Sequence, residues 1–231
     1  MEKGEVEMRK LICAGLLFGA MVVASAPALA LTVSFTEDFS VDASGWTNSS
    51  GPLTWVASGG PDGGSYVSFN GPSIHDPGTI QFRTSNAAAS GGNFAGNWLS
   101  AGVSVVSAQV LHDAPAPVNV FFRITTGTNS PALIGVVAVP VLPGTWTQVS
   151  LALFPSNPLI IPEGPPSLYN TVLSNVTNVQ VGFAVPAELE GTNFTYGLDQ
   201  VTIVPEPATA GILASGLAGL ALAKRRPRAR R

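Results

Sequence analysis

The stretch Val118–Ile124, VNVFFRI, alternates: Val118, Val120, Phe122 and Ile124 are separated by Asn119, Phe121 and Arg123. A β-strand turns successive side chains to opposite faces, so this period of two predicts a strand with one face on a core. The pattern returns at Val179–Val185 (VQVGFAV), where Val179, Val181, Phe183 and Val185 alternate with Gln180, Gly182 and Ala184. Outward from these two, runs near 33–39, 53–57, 65–70, 79–83, 98–111, 117–126, 133–141, 145–153, 176–185 and 194–204 read as strands, punctuated by Gly, Pro and Asn. No long amphipathic helical pattern lies between the termini. The expectation is an all-β fold, one antiparallel β-sandwich over 31–203.

Irregularities in the pattern carry information as well. Pro61-Asp62-Gly63-Gly64 and Pro143-Gly144 predict tight turns. The stretch FPSNPLIIPEGPP (Phe154–Pro166) holds five prolines, which excludes a central strand and predicts a long surface loop. In the last strand Phe194, Tyr196 and Leu198 share one face, and the apolar phase then slips by one to Val201 and Ile203. A one-residue slip implies a bulge, placed at Asp199-Gln200.

The two ends are set apart by composition. Arg9 and Lys10, the apolar Leu11–Ala24 and the Ala28-Leu29-Ala30 triplet predict a signal peptide over 1–30, with a signal helix. The one cysteine, Cys13, falls inside it, so the mature chain would carry no disulfide, thiol nucleophile or thiolate metal site. At the other end Val204-Pro205-Glu206-Pro207 leads into an apolar run, 208–223, and a basic tail, 224–231. Between the ends, Leu31–Ile203 holds Arg83 and Arg123 against ten carboxylates, a formal charge of −8. A body so acidic excludes nucleic acid, whose phosphates need a basic surface. It is compatible with calcium, neutral glycans or plain solubility.

Candidates for chemistry are few. His75 reads as a turn residue and His112 as the end of a strand, each followed by an aspartate (Asp76, Asp113), but adjacent residues on a strand face opposite ways, so neither pair forms a triad arm, and a surface position without a catalytic role is the expectation for both. Glycoside hydrolysis needs two opposed carboxylates, and the sequence selects no pair; Glu188 and Glu190 read as a solvated loop. No enzymatic role is expected. Glu37 and Asp38 close the first strand, Asp42 follows, and Asp199 marks the bulge in the last; if these strands are neighbours a calcium ion could collect oxygen ligands there, and exposure of all four is the competing reading. Trp46, Trp55, Trp98, Trp146, Tyr66, Tyr169 and Tyr196 could include a sugar-stacking platform, although core or hairpin packing is the expectation for Trp55, Trp98 and Trp146.

The C-terminal arrangement resembles the PEP-CTERM protein-sorting domain, on the Pro-Glu-Pro of Val204–Pro207, the apolar run and the basic cluster at Lys224, Arg225 and Arg226. The resemblance implies a Gram-negative bacterium that makes extracellular polysaccharide, with an exosortase that recognises the motif and cleaves near it. The chain would be exported across the inner membrane, held there through a transmembrane helix over 208–223, and released to the cell surface or exopolysaccharide matrix. Physics agrees with a temporary span: the run reaches only about 24 Å as a helix, short of a ~30 Å hydrocarbon core, and the basic tail favours the cytoplasm. The long tail KRRPRARR departs from the shorter tails usual in the family.

The body (FTEDFSVDASGW, SYVSF, GGNFAGNWLSAGVSVVSAQV and GTWTQVSLAL) resembles laminin-B-type and carbohydrate-binding jelly rolls of the galactose-binding-like class. That resemblance implies a structural calcium on Glu37, Asp38 and Asp199. The functional expectation is a non-enzymatic structural or adhesive matrix protein, with a carbohydrate-binding module as the alternative and a glycan hydrolase as a weaker one.

Overall fold

The computed structural model describes residues 34–49, 51–75, 79–84 and 86–205. The expected signal helix, Asp76, Glu206, Pro207, the 208–223 segment and the basic tail with Lys224, Arg225 and Arg226 lie outside them. Among the described residues no helix is long and apolar enough to cross a membrane.

Among the described residues thirteen strands form two antiparallel sheets: β1 (Phe35–Glu37), β2 (Trp46–Asn48), β3 (Gly51–Pro52), β4 (Thr54–Val56), β5 (Tyr66–Pro72), β6 (Thr79–Thr84), β7 (Val103–His112), β8 (Asn119–Thr125), β9 (Ala132–Val136), β10 (Thr147–Ala152), β11 (Ile160–Pro162), β12 (Asn178–Ala184) and β13 (Asn193–Pro205). The first sheet runs β10-β7-β13-β5-β4, with β1 also on β13; the second runs β11-β9-β8-β12-β6-β2-β3. The eight principal strands pair in a nested way: β8 with β9, β7 with β10, β6 with β12 and β5 with β13. A ribbon folded at β8–β9 and wound so that its paired strands alternate between two sheets is the jelly roll.

The alternation of the opening stretch does what its period demands. Val120, Phe122, Ile124, Val179, Val181 and Phe183 enter the core between the sheets. Phe183 of the second sheet meets Tyr196 of the first at 4.7 Å between ring centroids. Trp46 and Trp98 are buried; Trp46 stands edge-on between Phe39 and Phe94, at 5.7 and 5.6 Å.

Several expectations are corrected. The run expected as a strand from Trp98 becomes extended only at Val103; before that, Trp98 donates its main-chain N–H to Leu173 O, and its ring packs on the core from a turn. The proline-rich stretch is a loop interrupted by β11, a three-residue edge strand on β9, a position that tolerates a terminal proline. Leu168–Leu173 forms a short helix, α1, too brief to show helical periodicity. His112 ends β7, as its sequence suggests, but is buried rather than at the surface, with Nε2 against Val141 O at 3.0 Å, and burial lowers its pKa. His75 is exposed, as expected.

The predicted bulge is present and has a structural purpose. Gln200 has φ +47, and the register of β13 on β7 shifts between Asp199 and Thr202. On its other side β13 pairs with β5 through Leu198 and with β1 from Val201. Asp199 and Gln200 therefore lie at the seam where the strand changes neighbour. Beyond the seam β13 continues through Val204 and Pro205, still paired with β7.

Candidate functional site

Two regions gather polar side chains. The first is the seam. Asp199, 2% exposed, accepts the N–H of Gln200 on Oδ1 at 2.7 Å. Burial pushes its pKa up to about 7, and the negative charges of Asp62, Asp38 and Glu37 add to the rise. The charges of Glu37 and Asp38 thus reach Asp199, and so does that of Asp62, which the sequence marks as a turn residue. Asp62 does cap its turn through Gly64 N, and it also accepts from Gln200 Nε2 at 3.3 Å. Asp42 holds the N–H of Ser44 in its own turn and lines one cavity with Glu37 and Asp38.

The donor set at the seam suits a hard cation. Three oxygens, Asp199 Oδ2, Gly64 O and Ser65 O, each lie 3.0 Å from the point a β-carbon on Gly60 would occupy. Oxygen donors beside excess negative charge are the kind of group a calcium ion takes, and one of them, Gly64 O, already accepts the Gly60 N–H at 2.8 Å. Among the described residues no three His, Cys, Asp or Glu side chains are grouped to hold an ion by themselves, so main-chain carbonyls would have to share the task. A cavity of about 600 Å³ adjoins the outer side of Glu37 and Asp38, but the carboxylates of Glu37, Asp38 and Asp42 are engaged by Phe39 N, Ser40 N and Ser44 N.

The second region is a groove of about 320 Å³ on the outer face of the second sheet, lined in part by Ile80, Arg83, Phe121, Arg123, Ile134 and Gln180. The strand registers explain it. Facing residues across β6, β12, β8 and β9 are Arg83, Gln180, Arg123 and Ile134 in one row. Ile80, Gly182, Phe121 and Val136 form the next row. These are the residues that alternate with the core positions, so the same period that turns Val181 and Phe122 inward puts Gln180 and Phe121 on the outer face, where their neighbours largely cover them.

The floor is apolar and the rim polar. Phe121 lies over Gly182, whose missing side chain leaves room for the ring. Arg123 is held on every side: Nε and Nη2 donate to Glu163 Oε1 and Oε2, both at 2.8 Å; Nη1 donates to Asn129 Oδ1 at 2.8 Å and Gln180 Oε1 at 3.1 Å; Nη2 also reaches Asn129 O at 2.7 Å. That fork holds the Glu163 carboxyl below its ordinary pKa. Glu163 is the one carboxylate in the groove among the described residues, and it is ion-paired, so the groove lacks the opposed acid and base of glycoside hydrolysis.

The sequence reading missed this groove. Its signal was present: the two body arginines, 40 positions apart, both face Gln180 once the strands are paired. The aromatic candidates divide differently from the expectation. Trp55 is 39% exposed on the edge strand β4, with Nε1 donating to Phe39 O at 2.7 Å. Trp146 lies half-buried on the outer face of the first sheet, over Gly197 and edge-on to Tyr66 at 5.2 Å. Tyr196 is in the core, its hydroxyl hydrogen-bonded to Ser73.

No protein-family model matches the chain, and no curated protein matches it. Among solved structures it is similar to an exo-β-agarase, at 10% identity and TM-score 0.49 over 74% of this chain and 25% of that one. It is similar to the CBM22-1 and GH10 modules of Clostridium thermocellum endo-1,4-β-D-xylanase 10B, solved with xylohexaose, at 19% identity and TM-score 0.47 over 74% of this chain and 28% of that one. The chain thus spans about a quarter of the length of these two structures. A third is the C-terminal family 22 carbohydrate-binding module of the same Clostridium thermocellum xylanase, at 11% identity and TM-score 0.45 over 75% of this chain and 94% of that one. What the groove can do is set by its own residues.

Proposed function

We propose that this chain is an exported, non-catalytic jelly-roll protein that binds polysaccharide in the groove across β6, β12 and β8. The observation that carries the reading is the union of an apolar floor (Ile80, Phe121, Ile134) and a rim of amide and guanidinium groups in one cavity. A sugar ring presents C–H surface and hydroxyl groups together, and a pocket with few, fixed polar groups above an apolar base complements both. The rim is rigid because Arg123 is saturated by protein partners, so little ordering entropy is lost on binding.

Export and delivery belong to the same proposal. The signal peptide over 1–30 and the PEP-CTERM-like segment from Val204 would carry the chain across the inner membrane, hold it for an exosortase and release it into an exopolysaccharide matrix. Glycan binding by the body would retain it there. Calcium held by Asp199 with Glu37, Asp38 and the carbonyls of the 60–65 turn would act as a structural clamp, neutralising the buried acids at the seam.

Affinity electrophoresis of the full chain through gels containing a panel of neutral and acidic polysaccharides tests the groove. At least one polysaccharide retards the protein, and Ile134→Asp abolishes the retardation while leaving the melting temperature within a few degrees. A purely structural matrix protein without a glycan site would migrate unretarded in every gel, and that result would refute the proposal.

A further inference from the structure

The two arginines of the groove stand in opposite states. Arg123 spends all five N–H groups on Glu163, Asn129 and Gln180. Arg83, facing the same Gln180 from the other side, makes no hydrogen bond or ion pair among the described residues, and its buried Nε has no partner. A guanidinium carries five donors in a flat fork and stays charged at every accessible pH, so leaving it unpaired in a partly buried place is costly. In a body of net charge −8 with ten carboxylates available, no described acid is placed to meet it.

The local charge sharpens the point. Glu163, the carboxylate that lines the groove, is neutralised by Arg123, leaving Arg83 as the one uncompensated charge there among the described residues. The acids of the seam approach Asp199 on the first sheet, whereas the groove opens on the outer face of the second. The groove is thus a small positive site on an acidic protein. The group that matches a fork beside an apolar floor is a carboxylate attached to a sugar ring, accepted by two parallel N–H bonds.

We propose that the groove selects acidic polysaccharides, with Arg83 binding the carboxylate of a hexuronate residue whose ring rests on Phe121 and Ile80. This rests on the reading of the groove as a glycan site and adds the class of glycan. It also gives an acidic protein a way to hold an acidic polymer: one placed guanidinium acts at contact distance, while the repulsion of the remaining surface is screened by salt.

The test measures binding of the full chain to polygalacturonate and hyaluronan, and to the same two polymers after chemical reduction of their carboxyl groups to alcohols. Arg83→Gln and Arg83→Lys are measured beside the wild type, with circular dichroism and melting curves to show that both fold. The expected result is binding to at least one acidic polymer and roughly tenfold or greater weakening on carboxyl reduction. Arg83→Gln should weaken binding similarly, and Arg83→Lys should restore part of it. Equal binding to the acidic and reduced polymers, or unchanged binding by a folded Arg83→Gln, would overturn the selection of acidic glycans and leave the glycan groove standing. Absence of binding to all four polymers, with retardation by a neutral polysaccharide, would overturn it in the same way; no binding to any polysaccharide would overturn both.

Discussion

The ring of Phe121 on β8 lies over Gly182 on β12, directly opposite it in the strand register. A β-carbon on Gly182 would fall inside the space the ring occupies. The floor of the groove therefore depends on a glycine one strand away.

Gly182→Val should lift Phe121 from its seat and fill the groove. Overpacking of this kind costs about 1–3 kcal/mol. A domain of this size loses roughly 2–4 °C of melting temperature per kcal/mol. The expected outcome is a folded protein with a modestly lowered Tm and no polysaccharide retardation, read by calorimetry and affinity electrophoresis. Retained binding would place the glycan elsewhere.

The Arg123–Glu163 fork ties β8 to the chain just beyond the edge strand β11. The Glu163 side chain is about one-third exposed, at 32%, so solvent screening limits the pair to about 1 kcal/mol. Because the folded pKa of Glu163 is lowered, this stabilisation is fully present above the unfolded carboxylate pKa and is lost as pH falls through the folded value. Glu163→Gln should lower Tm slightly at neutral pH and make no difference in strong acid. A Tm difference that persists at pH 2 would contradict the assignment.

Asp199 has the opposite sign. With its folded pKa raised to about 7, the metal-free protein binds an extra proton between roughly pH 4 and pH 7. Its contribution to stability is thus greatest in acid and is lost as pH rises through 7. In EDTA at pH 8, Asp199→Asn should melt higher than the wild type; in millimolar calcium the order should reverse, because the ion replaces the proton at the seam. Wild-type Tm unmoved by calcium or chelator would remove the metal from the account.

The C-terminal segment makes its prediction by mass. The mature protein from wild-type cells should lack Lys224–Arg231, and the protein from exosortase-deleted cells should retain it. A tail found intact in wild-type cells would end the sorting proposal.

What the sequence disclosed follows from how each feature is encoded. Val118–Ile124 and Val179–Val185 announce their strands because one face is continuously apolar. The bulge at Asp199 was legible as a phase slip. Strands β2, β3 and β11 have two or three residues, too few to show a period, and Trp46–Asn48 gains its place by pairing with β6 and β3. The groove was hidden for a different reason. Arg83, Phe121, Ile134 and Gln180 come from four strands whose order is set by the winding of the jelly roll, so nothing local in the chain places them together.

The most direct measurement of the central claim is an NMR titration of the isotope-labelled protein with a galacturonate oligomer and with its carboxyl-reduced counterpart. Amide shifts that centre on Arg83, Phe121, Arg123, Ile134 and Gln180 with either oligomer are predicted, larger with the acidic one. Shifts that centre on Tyr66 and Trp146 on the opposite sheet, or no shifts with either oligomer, would contradict it.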